Sequence, residues 1–229
     1  MTGHTPATRS DDRELHALLL ALVLALFVVP PFTLAGVVGP WLVDLLFAAV
    51  VGAGALAVIH RSHTGLRVTV TALVFAAVVA KVGRTAVGST GWLLADAIVS
   101  AMTIALFALV ILRRVFAAGP ITVARIEGAV AVYLLVGVLW AMLFEALVLQ
   151  FPGAITTATG VTPSATDLSY LSFVTLTTVG YGDVTPVAPA ARSLAVVEAL
   201  IGQLYPAVLI ARLVSLEIAH RDSGDPTRL

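Results

Sequence analysis

The sequence predicts an all-helical membrane protein with six membrane-spanning helices and one short re-entrant helix. Of its 229 residues, 59% are hydrophobic and 11% charged, whereas roughly a quarter of the residues in soluble domains are charged. A spanning helix needs about 20 consecutive apolar residues. Six stretches of suitable length are present, at 15–34, 41–60, 67–87, 92–112, 121–149 and 189–214.

The composition narrows the kinds of site that the chain can carry. Cysteine is absent, which excludes disulfides, thiolate metal sites and thiol nucleophiles. The formal net charge is zero, so nothing indicates a nucleic-acid partner. The sequence contains no catalytic constellation and no evident site for a small-molecule substrate. We therefore expect no enzymatic activity and no cofactor.

The first apolar stretch has an alternative interpretation as a signal peptide. Residues 15–29 are followed by two prolines and then by small residues, as at a cleavage site. The preceding arm, however, carries three acidic residues beside two arginines instead of a basic patch. We therefore favour a retained spanning helix.

Basic residues predict the orientation of the chain. With a cytoplasmic amino terminus, ten arginines fall on or near the inner side, against Lys81, Arg84 and Arg192 outside. This bias predicts a multi-pass protein of the plasma (inner) membrane with both termini in the cytoplasm. It also places residues 151–189 on the external side.

The external region 151–189 is rich in Thr, Gly, Pro and Ser, and only residues 167–177 have a helical pattern. Eleven helical residues extend about 17 Å, too short to cross a bilayer core of about 30 Å. We therefore predict a re-entrant helix capped by Thr166 or Asp167. Its C-terminal end, near Thr177, would carry a partial negative charge.

The five residues Thr178–Gly182 follow this short helix. One interpretation is a tight turn between two strands; the other is a backbone that holds an ion. Gly180 and Gly182 alternate with Val179 and Tyr181, and glycine adopts positive φ without steric penalty. Alternating backbone twist can turn successive carbonyls to one side, and unpaired carbonyls at membrane depth occur where they line a water-filled path. We therefore predict a row of oxygen ligands.

The sequence TTVGYGD at residues 177–183 resembles the selectivity filter of potassium channels, which carry TVGYG loops. The resemblance implies that dehydrated K⁺ is the permeant ion and that a homotetramer in the lipid bilayer surrounds it, since one chain supplies one loop. The implied ion-binding residues are Thr178, Val179, Gly180, Tyr181 and Gly182. The first four coordinate K⁺ through their carbonyls, and Thr178 adds its hydroxyl as the innermost ligand.

Four further residues are expected to support the filter: Thr177, Asp183, Tyr170 and Glu198. In resembling channels an aromatic residue at the place of Tyr170 contacts the aspartate after the filter, here Asp183. Glu198 lies within an apolar helix and is expected to hydrogen-bond hydroxyls behind the filter. Resembling channels also have a glutamate near Glu145 that anchors the loop leading into the last helix.

The last helix contains a candidate gate at Gly202 and Pro206. Proline removes the amide that would bond the carbonyl four residues earlier, which is that of Gly202. Gly202 also matches the hinge glycine of resembling channels. We expect a gating hinge here, with a static kink as the alternative. The same matching places Gln203, Pro206 and Ile210 along the pore.

The fourth helix lacks the pattern of a voltage sensor. Arg113 and Arg114 stand together at its inner end, whereas voltage sensing needs several charges within the membrane field. We therefore expect weak or absent voltage dependence. Near the outer ends of helices two to four lie four charged residues that form either an ion-pair cluster or separate interface charges: Asp44, Lys81, Arg84 and Asp96.

These inferences predict a cytoplasmic arm at 1–14, a four-helix sensor-like region without gating arginines at 15–114, a pore domain at 115–216 and a cytoplasmic tail at 217–229. The expected function is passive, potassium-selective conduction. One alternative is a poorly selective cation channel. Another is a non-conducting membrane subunit or sensor that retains the pore fold.

Overall fold

A computed structural model describes residues 16–28, 42, 45, 48–52, 54, 55, 64–117 and 121–224. These residues are mostly helical, as the sequence predicts. The helices are α1 (His16–Val28, with a π-helical turn at Leu24–Val28), α2 (Thr64–Val87), α3 (Thr90–Val115), α4 (Val123–Gln150), α5 (Ala165–Leu176) and α6 (Pro189–Gly224). Two three-residue strands, β1 (Ile155–Thr157) and β2 (Val184–Pro186), complete the described structure.

Four of these helices, α2, α3, α4 and α6, are long and apolar enough to cross a membrane. They correspond to the last four predicted spans. Helix α1 covers part of the first predicted span, and the described residues of the second, between 42 and 55, are helical. The remainder of those two spans lies outside the described residues, as do Asp44, the arm at 1–14 and the end of the tail, so the six-helix count stays a prediction.

Helix α3 packs between α2 and α4. Gly88, with φ of 66°, allows the sharp turn from α2 into α3. Ile104, Phe107 and Ile111 of α3 are almost fully buried and belong to one core cluster with Leu135 of α4. This apolar contact joins α3 to α4.

The short helix α5 lies between α4 and α6. Its buried residues Leu168 and Leu171 share a core cluster with Trp140 and Phe144 of α4. The indole Nε1 of Trp140 donates to the Leu194 carbonyl of α6 at 3.0 Å. Helix α5 is therefore held on two sides by longer helices.

The start of α5 differs from the expectation. The expected cap at Thr166 or Asp167 is wrong, because Ser164 is the N-cap and accepts a hydrogen bond from the Asp167 amide. The Asp167 carboxylate accepts one in return from the Ser164 amide at 2.8 Å. This reciprocal capping box satisfies two amides that the first helical turn leaves without partners.

A small antiparallel sheet, absent from the sequence prediction, forms within residues 151–189. β1 pairs with β2 in the register Ile155 to Pro186 and Thr157 to Val184. The element directly before residues 177–183 is α5, and the strand after them pairs with β1, which precedes α5 in the chain. The interpretation of these residues as a turn between two consecutive strands is therefore not supported.

Candidate functional site

The backbone between α5 and β2 alternates in handedness. Thr178, Gly180 and Gly182 have φ of 61°, 58° and 82°, whereas Val179 and Tyr181 between them do not have positive φ. The sequence predicts this alternation at the two glycines. The structure extends it to Thr178, whose positive φ is unfavourable for a residue with a β-branched side chain.

The amides of this segment bond back to α5. The Thr178 amide donates to the Thr175 carbonyl at 2.9 Å, and the Val179 amide donates to the Val174 carbonyl at 2.9 Å. The Gly180 amide shares the latter acceptor at 3.3 Å. By contrast, the carbonyls of residues 178–181 accept no backbone hydrogen bond from the described residues. This segment therefore presents four carbonyl oxygens that are available to a ligand or to water.

Residues 177–183 are all exposed on the single chain. The C-terminal end of α5 is at Thr177, whose hydroxyl donates to the Phe173 carbonyl at 2.6 Å. A helix C-terminus carries roughly half a negative charge, which stabilises a nearby cation. The free carbonyls and the helix end thus favour the same kind of ligand.

A buried polar cluster behind the segment joins three helices. The Ser172 hydroxyl of α5 lies 2.7 Å from the Gly137 carbonyl of α4 and 2.5 Å from Oε1 of Glu198 on α6. Both Ser172 and Glu198 are fully buried. The structure thus places Glu198 against a hydroxyl behind the segment, where the sequence analysis expected it.

These contacts fit a neutral Glu198 carboxyl. A serine hydroxyl has one hydrogen, and the Gly137 carbonyl can only accept. Both contacts are satisfied when a protonated Glu198 donates to Ser172 and Ser172 donates to Gly137. The second oxygen of Glu198 is buried without a hydrogen-bond partner among the described residues, and an ionised carboxylate there would carry a desolvation penalty of several kcal/mol.

Gly202 allows α6 to approach the end of α5. A Cβ atom at this position would overlap the backbone carbonyl of Leu176. The same carbonyl accepts a hydrogen bond from the Tyr133 hydroxyl of α4 at 3.2 Å. Close packing is therefore one physical reason for glycine here, while α6 continues as a helix through Pro206. The hinge at these two residues stays a prediction.

At the end of the segment nearer β2, the Tyr170 ring stacks almost parallel to the Tyr181 ring, with centroids 6.4 Å apart and planes 5° apart. The pKa of the Tyr170 phenol is raised, first by partial removal from solvent and then by hydrogen bonding and charge from Asp183. Asp183 also accepts a hydrogen bond from the Val184 amide at 3.1 Å. Tyr170 and Asp183, the expected pair, also line one cavity beside this segment.

At the end of the segment nearer α5, Nε2 of Gln203 donates to the Thr178 hydroxyl oxygen at 2.9 Å. The sequence analysis placed Gln203 along the pore but did not foresee this contact. It also missed Ser172 and Tyr133. These residues lie on elements distant in sequence from their partners, so no local spacing could have paired them.

Away from this segment, Nη1 of Arg84 lies 3.0 Å from Oδ2 of Asp96 and 3.3 Å from Oε1 of Glu145. The cluster links α2, α3 and α4. Of the two alternatives for the charges near these helix ends, the contact of Arg84 with Asp96 supports the ion-pair cluster, with Glu145 as a member that the sequence analysis did not include. Glu145 was expected to anchor the loop before the last helix. The structure instead places its carboxylate against Arg84.

Comparison with known proteins shows which family resembles this part of the chain. Residues 129–218 match the model of a family described as "Ion channel". This match covers α6 to Ile218 and contains α5, the segment 177–183 and most of α4. This part of the chain is therefore similar to an ion channel domain, and the long apolar helices indicate an integral membrane protein.

The similar proteins include Two pore potassium channel c of Oryza sativa subsp. japonica, 41% identical over 64 residues, which are 28% of this chain and 14% of the relative. Protein LctB of Bacillus caldotenax is 52% identical and Protein LctB of Geobacillus stearothermophilus 54% identical, each over 48 residues. These matches cover 21% of this chain and 35% of each LctB protein. The chain thus spans about a third or less of these curated relatives. The similarity to an ion channel family therefore lies in the part of this chain that runs from α4 to α6, and one of the similar proteins is named as a potassium channel.

Proposed function

We propose that this chain forms a potassium-selective channel that conducts K⁺ passively across the membrane. The observation that supports this proposal most strongly is the alternating backbone of Thr178–Gly182 with its four free carbonyls. Carbonyl oxygens in such a row replace the hydration shell of a dehydrated cation. K⁺ is the transported substrate in this proposal, and the ion channel family favours transport over an enzymatic reaction.

Four copies of the chain surround the ion in this proposal. A single chain supplies one row of ligands, and a closed ring requires four rows around an axis. Two exposed features would face that axis or the neighbouring copies: residues 177–183 and much of the apolar surface of α6. Helix α5 would be the pore helix, α4 the outer helix and α6 the inner helix.

The ion-binding residues of the proposed filter are Thr178, Val179, Gly180, Tyr181 and Gly182. Thr177 and the pair of Tyr170 with Asp183 support it at its two ends. Glu198 supports it from behind through Ser172, because that contact fixes α5 against α6. A supported filter holds its oxygens at fixed positions while ions pass, as selective coordination requires.

The proposed channel responds weakly to voltage. Arg113 and Arg114 lie in the last turn of α3, at the end of the span, so they would not cross the membrane field. Opening would instead depend on a bend of α6 at Gly202 and Pro206. The proposed location is the plasma membrane with both termini in the cytoplasm.

Ion flux from the purified full chain in liposomes tests this function. We expect K⁺ to leave loaded liposomes down its gradient, Na⁺ to leave far more slowly, and external Ba²⁺ to block the K⁺ flux. Equal K⁺ and Na⁺ flux would identify a poorly selective cation channel. Absence of flux at every pH, voltage and membrane tension tested would identify a non-conducting subunit.

A further inference from the structure

We propose that Gln203 is a positioning residue for the innermost cation site, because its side-chain amide fixes the hydroxyl oxygen of Thr178. This inference rests on the proposed function and adds a residue on the inner helix to the proposed filter. The direct observation is the hydrogen bond from Nε2 of Gln203 to Oγ1 of Thr178, at 2.9 Å. Both side chains are exposed on the single chain, at the internal end of the row of carbonyls.

The conformation of Thr178 indicates why a positioning contact is needed. Among the described residues, it alone combines a positive φ with a side chain. A β-branched residue in this region is a conformational outlier, and such outliers persist where the surroundings over-determine them. The Thr178 amide is held by the Thr175 carbonyl of α5, and the hydroxyl is held by Gln203 of α6. The residue is thus fixed from two helices.

The hydroxyl can bind a cation while it accepts this hydrogen bond. Its oxygen has two lone pairs and one hydrogen. The Gln203 amide uses one lone pair, which leaves the other for a cation. Without the amide, the Thr178 side chain and its hydrogen are free to rotate, so the oxygen no longer has one fixed position. The affinity of the innermost site for a K⁺-sized ion should then fall.

The position of Gln203 on α6 makes this contact dependent on the inner helix. Its neighbour Gly202 lies against the Leu176 carbonyl, where no Cβ fits. This close approach brings the Gln203 side chain within reach of Thr178. The innermost ligand would therefore respond to displacement of α6, whereas the outer carbonyls would not be affected through this contact.

Inhibition by Ba²⁺ from the cytoplasmic side, measured on the purified full chain in planar bilayers with K⁺ as the conducting ion, tests the proposal. Ba²⁺ is similar in size to K⁺ and, applied from this side, reaches the innermost site first. We expect Gln203→Met, which keeps the side-chain length but removes the donor from each of the four chains, to weaken inhibition at least about fivefold, the effect of losing one ordinary hydrogen bond. The matched control Leu204→Met, at the next exposed position of α6, should leave inhibition unchanged.

A second pair of variants tests whether the effect passes through the Thr178 hydroxyl. On a Thr178→Ser background, which keeps the hydroxyl, Gln203→Met should weaken inhibition as it does in the unmodified chain. On a Thr178→Val background, which removes the hydroxyl, it should have no further effect. If Thr178→Val conducts no current, the test is made on the Thr178→Ser background with Leu204→Met as the control. Weaker inhibition with Gln203→Met than with Leu204→Met supports the proposal, and equal inhibition contradicts it.

Several results would overturn the proposal. If the unmodified chain conducts K⁺ and Gln203→Met matches Leu204→Met in Ba²⁺ inhibition, the proposed function stands and the role of Gln203 is wrong. If Gln203→Met and Gln203→Leu both assemble but carry no current, the amide does more than position one ligand, and the proposal is also wrong. If the unmodified chain conducts no K⁺, the proposed function and this inference fail together.

Discussion

Two regions of the molecule contain polar groups among apolar helices, and the partners of those groups differ between the two regions. In the peripheral region, Arg84 pairs with Asp96 and Glu145, so that opposite charges of three helices satisfy one another. In the region of α5 and α6, the buried contacts of Ser172 and Glu198 fit neutral partners, and a row of carbonyls remains open. The first arrangement holds helices together, whereas the second has acceptors left for a ligand.

The largest expected effect concerns the carbonyl oxygens of residues 178–181, which accept no backbone hydrogen bond from the described residues. Gly180→Ala should abolish selective K⁺ flux, because a side chain at positive φ carries a penalty of about 1–2 kcal/mol, repeated in each of four chains. Relieving that strain would turn a carbonyl out of the row. Gly153→Ala is a matched control, since Gly153 also has a positive φ and open space around it but lies in the loop between α4 and β1. Flux per assembled protein in liposomes measures both; similar flux from the two variants would show that the row is not the conduction path.

Gly202 tests the packing that brings α6 to the end of α5. Gly202→Ala should lower the melting temperature of the purified protein and reduce K⁺ flux, because the new Cβ would overlap the Leu176 carbonyl and such overpacking destabilises by about 1–3 kcal/mol. Gly65→Ala in the first turn of α2, where nothing lies within 4 Å, should be neutral or stabilising by up to about 1 kcal/mol. An equal rise in melting temperature for both variants would contradict the close approach.

One substitution made in both regions sharpens the comparison between charged and neutral contacts. Glu145→Gln removes a charge that pairs with Arg84 and should destabilise the protein by about 1 kcal/mol, since the pair is partly exposed. Glu198→Gln keeps a neutral group that can donate to Ser172, and should change stability by less than about 0.5 kcal/mol. Thermal unfolding of the two variants measures the difference. A larger loss at Glu198 would indicate that its carboxyl is ionised.

The smallest expected effect is on voltage dependence. Neutralising Arg113 and Arg114 together to Gln should leave the slope of the conductance–voltage relation unchanged. A charge that crossed the field would contribute about 2.3 kcal/mol per 100 mV, which would change that slope visibly. Planar-bilayer recordings of the double variant and the unmodified chain provide the test, and a clearly shallower slope in the variant would assign these arginines to voltage sensing.

The sequence predicts those features that depend on local composition. Apolar length locates α2, α3, α4 and the start of α6 to within a few residues, because a span leaves a continuous hydrophobic stretch. Helix α6 continues to Gly224, ten residues beyond the predicted end at 214, since its last turns are polar and leave no such stretch. The alternation at Gly180 and Gly182 is also predictable, since glycine is the residue type that adopts positive φ without a steric penalty. The N-cap at Ser164 was missed although its signal was present, because Ser164 stands three residues before Asp167, as in a capping box.

The contacts around the candidate site were harder to predict because they depend on tertiary packing. Ser172 and Glu198 are 26 residues apart on different helices, and Thr178 and Gln203 are 25 apart. Nothing in the helical period of α6 selects those partners. Likewise, the reason that Gly202 needs to lack a side chain becomes visible only when Leu176 is placed against it. Sequence reasoning suggested the flexibility of this glycine, and the structure adds its close packing.

The reversal potential of the purified full chain in a planar bilayer, with K⁺ on one side and Na⁺ at equal concentration on the other, tests the central claim most directly. A row of carbonyls from residues 178–181 that replaces the hydration shell of K⁺ predicts a large reversal potential, of the sign set by K⁺ leaving its own side. A current that reverses near zero would contradict potassium selectivity.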